Sequence, residues 1–71
     1  MAHVQTVINA ARKLSLLDGN GKLIVLDSLA VIDLVTELED VMRLSIPPEE
    51  INTEVFRSVE DIAALLDRLA T

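Results

Sequence analysis

The residues with the most chemical potential stand together at Asp27 and Ser28, in the stretch LDSL at residues 26–29. This stretch follows a glycine-containing loop at residues 18–22 and opens residues 28–43, which show helical periodicity. A serine in the first turn of a helix exposes its hydroxyl, and the helix dipole there favours an incoming phosphate. Serine and aspartate are also preferred as helix caps. The pattern therefore leaves two interpretations of Ser28, a structural cap and a site at which a group is attached.

A serine nucleophile needs a base held near its hydroxyl, and the sequence offers little support for one. His3 is the only histidine, and it stands near the N-terminus, where we expect it to be exposed. No second oriented base accompanies it. We therefore predict no catalytic residue and no enzyme activity, so that any reaction at Ser28 has to be activated by another enzyme.

The composition predicts one small domain that covers residues 1–71. The chain has no cysteine, so no disulfide or thiolate–metal site stabilises it, and this absence fits a reducing cytoplasm. Hydrophobic residues make up 51% of the sequence, and their burial must supply the stability. Charged or polar residues interrupt the apolar stretches, so we expect neither membrane insertion nor secretion. We predict a soluble, cytoplasmic monomer.

The charge balance indicates the kind of partner. The sequence has 12 acidic and 6 basic residues, a net charge of −6 and a pI near 4.4. Such a surface repels the phosphate backbone of nucleic acids and attracts basic protein surfaces. We therefore expect no nucleic-acid partner and predict docking to a basic patch on another protein.

Hydrophobic periodicity predicts an all-α fold. Apolar residues recur at helical spacing in residues 2–17, 28–43 and 58–69, with Ser58 as the N-cap of the last helix. Asn52 and Thr53 ahead of residues 54–56 predict one further capped turn. We predict a small antiparallel four-helix bundle with three main helices, one short third helix and a long first loop. The predicted core residues of the main helices are Val4, Val7, Ile8, Ala11, Leu14, Val31, Leu34, Val35, Leu38, Met42, Val59, Ile62, Leu65, Leu66 and Leu69.

The long first loop carries the apolar run Leu23-Ile24-Val25-Leu26. This run could form a buried strand, but the sequence offers no second strand to pair with its backbone. We therefore predict an irregular loop that folds these side chains over the helical core.

The start of this loop, DGNGK at residues 18–22, also suggests a metal-binding alternative. If Gly21 occupies the sixth position of a calcium loop, Asp18 and Asn20 fall at ligand positions. Leu16 then falls at the first position, where an oxygen ligand is needed. We therefore predict no metal site.

Two apolar residues of the second helix, Leu29 and Ile32, fall outside its core stripe. They either widen that stripe or form an exposed patch. Widening the stripe would bury Asp33 or Thr36 at its edge, and burial of an unpaired carboxylate is costly. We therefore predict an apolar docking patch with an acidic rim that suits basic partner side chains. This predicted docking face consists of Leu29, Ile32, Asp33, Thr36, Glu39 and Asp40.

The order of these features resembles that of the acyl carrier protein family over about the whole chain. The tripeptide Asp27-Ser28-Leu29 alone has little specificity, but the combined order has far more. The matching residues are Asp27-Ser28-Leu29 at the start of the second helix, Asp33, Glu39 and Asp40 along it, Leu44-Ser45-Ile46-Pro47 after it, and Ser58-Val59 at the start of the last helix.

The resemblance implies a cofactor and a set of partners. In this family a separate phosphopantetheinyl transferase transfers 4′-phosphopantetheine from coenzyme A to the serine that matches Ser28. Acyl groups are then carried as thioesters on this arm. The aspartate that matches Asp27 helps the transferase to place Mg²⁺, which suits a hard carboxylate ligand. Acyl- or aminoacyl-activating ligases and synthases with basic docking patches load and unload the arm, in fatty acid, polyketide or specialised acyl metabolism.

The sequence departs from many fatty-acid carriers at Ala30, where another acid is common, and at Thr36, where methionine is common. The loop at residues 18–26 is also short. Residues 47–59 are more similar to stand-alone carriers of specialised acyl or aminoacyl pathways. An unmodified acidic helical module that binds a protein through the same face is the alternative to a carrier.

The aliphatic core suggests one place for a carried group. A bundle built of Leu, Val, Ile and Ala could part between its second and last helices to shelter an acyl chain. In that case the acyl chain would contact Leu34, Leu38, Ile62 and Leu66.

Overall fold

The computed structural model describes residues 3–70 and shows three α-helices joined by irregular segments. Helix α1 spans Val4–Lys13, α2 spans Ser28–Met42 and α3 spans Val59–Ala70. A 3-10 helix at Pro48–Glu50 lies between α2 and α3. Within residues 3–70 the only β-type pairing is one isolated antiparallel bridge between Leu17 and Leu23. The predicted all-α class is therefore confirmed.

Helix α1 ends at Lys13 rather than at residue 17, because the chain forms a Schellman motif there. Leu16 N donates to Ala11 O at 2.8 Å and Ser15 N donates to Arg12 O at 3.0 Å. Ser15 adopts the left-handed region with φ of 60°, which stops the helix. The predicted start of this helix at residue 2 lies outside the described residues.

Helix α1 is the central element of the bundle. It packs against both α2 and α3, whereas no Cα of α2 lies within 8 Å of a Cα of α3. Its fully or nearly fully buried residues are Val7, Ala10 and Ala11. Two of these three are alanines, whose small side chains let neighbouring helices approach closely. The wider space between α2 and α3 is filled by large side chains.

The core follows the predicted helical stripes and gains residues from the connecting segments. Val4, Ile8, Leu14, Met42 and Leu69 were predicted as core but are only partly buried at its edge. Phe56, the single aromatic residue, lies in a turn and is 1% exposed. The buried hydrophobic residues are Val7, Ala10, Ala11, Leu16, Leu26, Val31, Leu34, Val35, Leu38, Ile46, Phe56, Val59, Ile62, Ala63, Leu65 and Leu66.

The single capped turn predicted at residues 54–56 is present, but it does not extend into a regular helix. Asn52 acts as the cap, since its Oδ1 accepts from Glu54 N and Val55 N, both at 2.9 Å. Phe56 N donates to Asn52 O at 3.2 Å, which closes one helical turn within the turn segment at residues 53–57. The short helical element lies earlier, at Pro48–Glu50, where Pro48 occupies the first helical position and needs no N–H partner.

The first loop folds over the core only in part. Leu26 is buried and Leu23 is half-buried, as predicted. Ile24 N donates to Leu16 O at 2.9 Å, which ties the two sides of the loop together. Val25, however, is 99% exposed, so the prediction that the whole apolar run covers the core is wrong for this residue. Successive residues of an extended segment point to opposite sides, and Leu26 takes the inward position.

The predicted exposure of His3 is also wrong. His3 is half-buried, and its Nδ1 contacts the carboxylate of Asp67 in α3. This contact forms because the start of α1 packs beside α3. His3 therefore has a structural partner on the last helix.

No helix within residues 3–70 has the length and apolar character needed to cross a bilayer.

The left-handed conformation of Ser15 generates a stability prediction. Replacing Ser15 with glycine should raise the free energy of unfolding by roughly 1 kcal/mol, because glycine has no Cβ to strain that conformation. Urea denaturation followed by circular dichroism measures this change. Ser45→Gly is the matched control, since Ser45 is also an exposed loop serine but has no positive φ. It should lower the free energy of unfolding by about 0.5 kcal/mol. Equal effects of the two substitutions would contradict the role of strain at Ser15.

Candidate functional site

The N-terminus of α2 is capped by Asp27 and not by Ser28. Asp27 has extended backbone dihedrals, and its Oδ1 accepts a hydrogen bond from Ala30 N at 2.8 Å. Its carbonyl oxygen accepts the first helical hydrogen bond, from Val31 N at 3.0 Å. Ser28 is therefore the first residue inside the helix. Of the two interpretations of Ser28, the cap belongs to its neighbour.

The hydroxyl of Ser28 is consequently uncommitted. Ser28 is exposed, and within residues 3–70 its Oγ takes part in no hydrogen bond. The amide nitrogens of Ser28 and Leu29 also lack a hydrogen-bond partner in this part of the chain, as expected for the first turn of a helix. An anionic group on Ser28 Oγ would lie close to these two donors.

Ser28 lies in a shallow groove between the first turns of α2 and the chain at residues 51–53. We call this the attachment groove; it has a volume of about 320 Å³ and is open to solvent. Its walls contain no histidine, lysine, arginine or carboxylate, so no base lines the groove that holds the hydroxyl. His3, the one histidine, is held by Asp67. The lining residues are Ser28, Val31, Ile32, Ile51, Asn52 and Thr53.

The predicted docking face lies on the outer side of α2. Leu29 is 73% exposed and Ile32 is 52% exposed, so neither belongs to the core. Asp33, Thr36 and Asp40 are exposed on the same helix. Thr36 satisfies its hydroxyl by donating to Ile32 O at 2.9 Å, which leaves its methyl group as the outward feature. Apolar and acidic groups therefore share one accessible surface of α2.

Glu39 occupies a different environment from the other residues of this face. It is half-buried, and its Oε2 accepts a hydrogen bond from Ile46 N at 2.7 Å. This bond fixes the segment after α2, where Arg43 adopts the left-handed region with φ of 55°. Glu39 thus has a structural task in addition to its predicted docking role, which stays a prediction.

Three exposed apolar residues, Ile24, Val25 and Val41, were not assigned a role from the sequence. Val41 is 54% exposed on α2, and it could have been noticed because it falls outside the stripe formed by Leu34, Leu38 and Met42. Val25 was hidden within an apolar run, and no sequence pattern separates it from its buried neighbour Leu26.

The DGNGK segment is a hydrogen-bonded turn. The carboxylate of Asp18 accepts from Lys22 N at 3.0 Å and from Asn20 N at 2.8 Å. These backbone donors, that of Lys22 first, lower the pKa of Asp18 below its ordinary value. Among the described residues no group of three or more acidic, histidine or cysteine side chains could hold a metal ion. Asp18 Oδ1 thus holds the turn together through two backbone hydrogen bonds.

The described residues thus form a small helical bundle that presents Ser28, exposed and without a hydrogen bond, at the start of α2. The sequence matches the family model described as "Phosphopantetheine attachment site" over residues 3–66. No curated protein and no solved structure matches the chain. Because the match covers nearly the whole chain, the protein belongs to the phosphopantetheine attachment family. It is a carrier protein domain and not a catalytic enzyme, and the cofactor of this family is a covalent 4′-phosphopantetheine.

The residues around Ser28 fit such a cofactor. A phosphodiester could be joined to the uncommitted hydroxyl, and the free amides of Ser28 and Leu29 would suit its negative charge. No lysine or arginine lines the attachment groove. The cofactor supplies a thiol, which this cysteine-free chain lacks.

The cap at Asp27 generates a prediction about stability. Asp27→Ala should lower the free energy of unfolding by about 1 kcal/mol, because Ala30 N loses its acceptor. Asp27→Asn keeps an oxygen acceptor, so its free energy of unfolding should stay within about 0.5 kcal/mol of that of the wild-type protein. Asp33→Ala is the control, since Asp33 is an exposed α2 residue whose side chain accepts no hydrogen bond within residues 3–70. Chemical denaturation measures all three, and an Asp33→Ala loss as large as that of Asp27→Ala would contradict the cap.

Proposed function

We propose that Ser28 is the attachment residue and that this protein carries acyl or aminoacyl intermediates as thioesters on a 4′-phosphopantetheine arm. The observation that supports this most is the position of Ser28 at the start of α2, exposed and free of hydrogen bonds because Asp27 takes the cap. Membership of the phosphopantetheine attachment family agrees with it.

Modification requires an external enzyme because the attachment groove contains no base. In the proposed reaction Ser28 Oγ attacks the phosphorus of coenzyme A that bears the pantetheine. The Oγ–P bond forms as the P–O bond to the adenosine 3′,5′-bisphosphate leaving group breaks, and the transferase takes the hydroxyl proton. The exposed position of Ser28 suits the approach of so large a donor.

Asp27 is proposed to assist this transfer in addition to capping α2. Its Oδ1 is engaged by Ala30 N, while no hydrogen bond to Oδ2 is found within residues 3–70. The free oxygen can coordinate Mg²⁺ brought by the transferase, since hard cations prefer carboxylate oxygens. One carboxylate would then serve both the fold and the modification.

The outer side of α2 is proposed as the docking face for the transferase and for the ligases or synthases that load and unload the arm. Leu29 and Ile32 supply apolar contact, and Asp33 and Asp40 supply negative charge around it. A partner with a basic patch fits this surface. Fatty acid, polyketide and specialised acyl or aminoacyl metabolism are the proposed settings.

Intact mass spectrometry tests the attachment site. Incubation with coenzyme A, Mg²⁺ and a promiscuous phosphopantetheinyl transferase should add the mass of one phosphopantetheine to the wild-type protein. The same incubation should add no mass to Ser28→Ala. Ser45→Ala is the matched control, an exposed serine outside the helices that should be modified normally. Equal mass gain on the Ser28→Ala variant would move the site elsewhere. If the wild-type protein gains no mass, the alternative function is favoured, in which an acidic helical module binds a protein and carries no phosphopantetheine.

The docking face is tested by reversing its charge. The double substitution Asp33→Lys and Asp40→Lys should lower kcat/KM of the transferase on the order of tenfold at low salt, because rim charges steer association. The helical circular dichroism should be nearly unchanged, and the difference should shrink at high salt.

The control for charge reversal is Glu49→Lys with Glu60→Lys, which changes the net charge equally at two exposed positions outside α2. We expect this control to have a smaller effect on kcat/KM. If both double variants slow the transferase equally, net charge rather than the α2 face steers docking.

A further inference from the structure

A second groove adjoins the attachment groove. We call it the loop groove; it lies between residues 25–26 of the first loop and residues 53–57, and it has a volume of about 490 Å³. Thr53 lines both grooves, so they lie on either side of this exposed residue. Small-molecule sites typically measure about 300–1,000 Å³, and the loop groove falls in this range. Its lining residues are Val25, Leu26, Thr53, Glu54, Phe56 and Arg57.

The loop groove has an apolar floor and an exposed apolar rim. Leu26 and Phe56 are 5% and 1% exposed and belong to the core, so the floor is fixed in place. Val25 on the rim is 99% exposed, more than Leu29, Ile32 or any other large exposed hydrophobic residue. Covering an exposed valine side chain removes apolar surface from water, so an apolar group in this groove would be favoured.

The interior between α2 and α3 is much less accessible. Leu34, Leu38, Ile62 and Leu66 are each 0% exposed, and none of them lines the attachment groove or the loop groove. Admitting an acyl chain there requires these close-packed side chains to part, which costs packing energy. The loop groove needs no such rearrangement.

We propose that the arm on Ser28 folds across Thr53 and lays its carried group in the loop groove, against Val25 and Phe56, rather than inside the bundle. This inference rests on the proposed function. The hydroxyl of Thr53 has no hydrogen-bond partner within residues 3–70, so it is available to the polar groups of the arm between the two grooves. Because the groove is open and bordered by Glu54 and Arg57, the class of cargo that fits is a short acyl group; a long alkyl chain would extend into water.

Nuclear magnetic resonance of a loaded form tests the route. The probe is a hexanoyl-pantetheine coenzyme A analogue with an amide in place of the thioester, transferred to the labelled protein by the promiscuous transferase. Phe56 is the only aromatic residue, so a nuclear Overhauser contact between hexanoyl and aromatic ring protons has one assignment. We expect such contacts to Phe56 and to the Val25 methyl groups, with an upfield shift of the hexanoyl methyl signal.

Substitution of the rim supplies a matched comparison. Val25→Ser should remove the contacts to Phe56 and the upfield shift, whereas Val41→Ser should leave both unchanged. Both valines are exposed, so neither substitution removes core packing. Val41 lines a separate groove with residues of α1 and is not part of the loop groove.

Each other outcome would overturn the inference. Hexanoyl contacts to Leu34, Leu38, Ile62 or Leu66 would place the cargo inside the bundle, and no contacts would leave it in water. If Val25→Ser is modified more slowly and the loaded wild-type protein shows no hexanoyl contacts, Val25 binds the transferase and not the carried group. In these three cases the gain in mass persists and the proposed function stands. If the wild-type protein gains no mass, no arm is attached. The proposed function and the proposed cargo position then both fail.

Discussion

The chemistry available at this site depends on the hydrogen bond from Ala30 N to the carboxylate of Asp27. Because Asp27 satisfies the helix terminus, Ser28 enters α2 as its first residue and keeps its hydroxyl free. If Ser28 were the cap, its Oγ would accept a hydrogen bond from the helix amides. It would then be less available to attack phosphorus. The order of aspartate and serine therefore separates the structural task from the chemical one.

The packing of α1 has consequences for where a carried group can lie. Its alanines allow close contact with both neighbours, whereas no Cα of α2 lies within 8 Å of a Cα of α3. Leu34, Leu38, Ile62 and Leu66, on these two helices, are each 0% exposed. Three of the most exposed apolar residues, Val25, Leu29 and Ile32, lie around the start of α2. The proposed attachment residue and the proposed cargo groove are therefore close to the first turns of the proposed docking face.

Charge is distributed unevenly among the helices. Helix α1 contains no acidic residue and ends with Arg12 and Lys13, whereas α2 carries four acids. One of these, Glu37, is paired with Lys13 at 3.2 Å, and another, Glu39, holds the segment after α2. Asp33 and Asp40 remain exposed beside the apolar patch. Of the four α2 acids, two are therefore available to a basic partner, and both lie on the same side of the helix as Leu29 and Ile32.

The sequence by itself determined the three main helices, their core stripes and the exposure of Leu29 and Ile32, because helical periodicity and the cost of burying Asp33 are local properties. It also pointed to Asp27 and Ser28, whose residue types favour a helix entrance. Only the tertiary structure decided that His3 meets Asp67, that Val25 points outward while Leu26 is buried, and that the two grooves lie on either side of Thr53. These features join segments distant in the chain or depend on which way an irregular loop turns, and no local pattern encodes either.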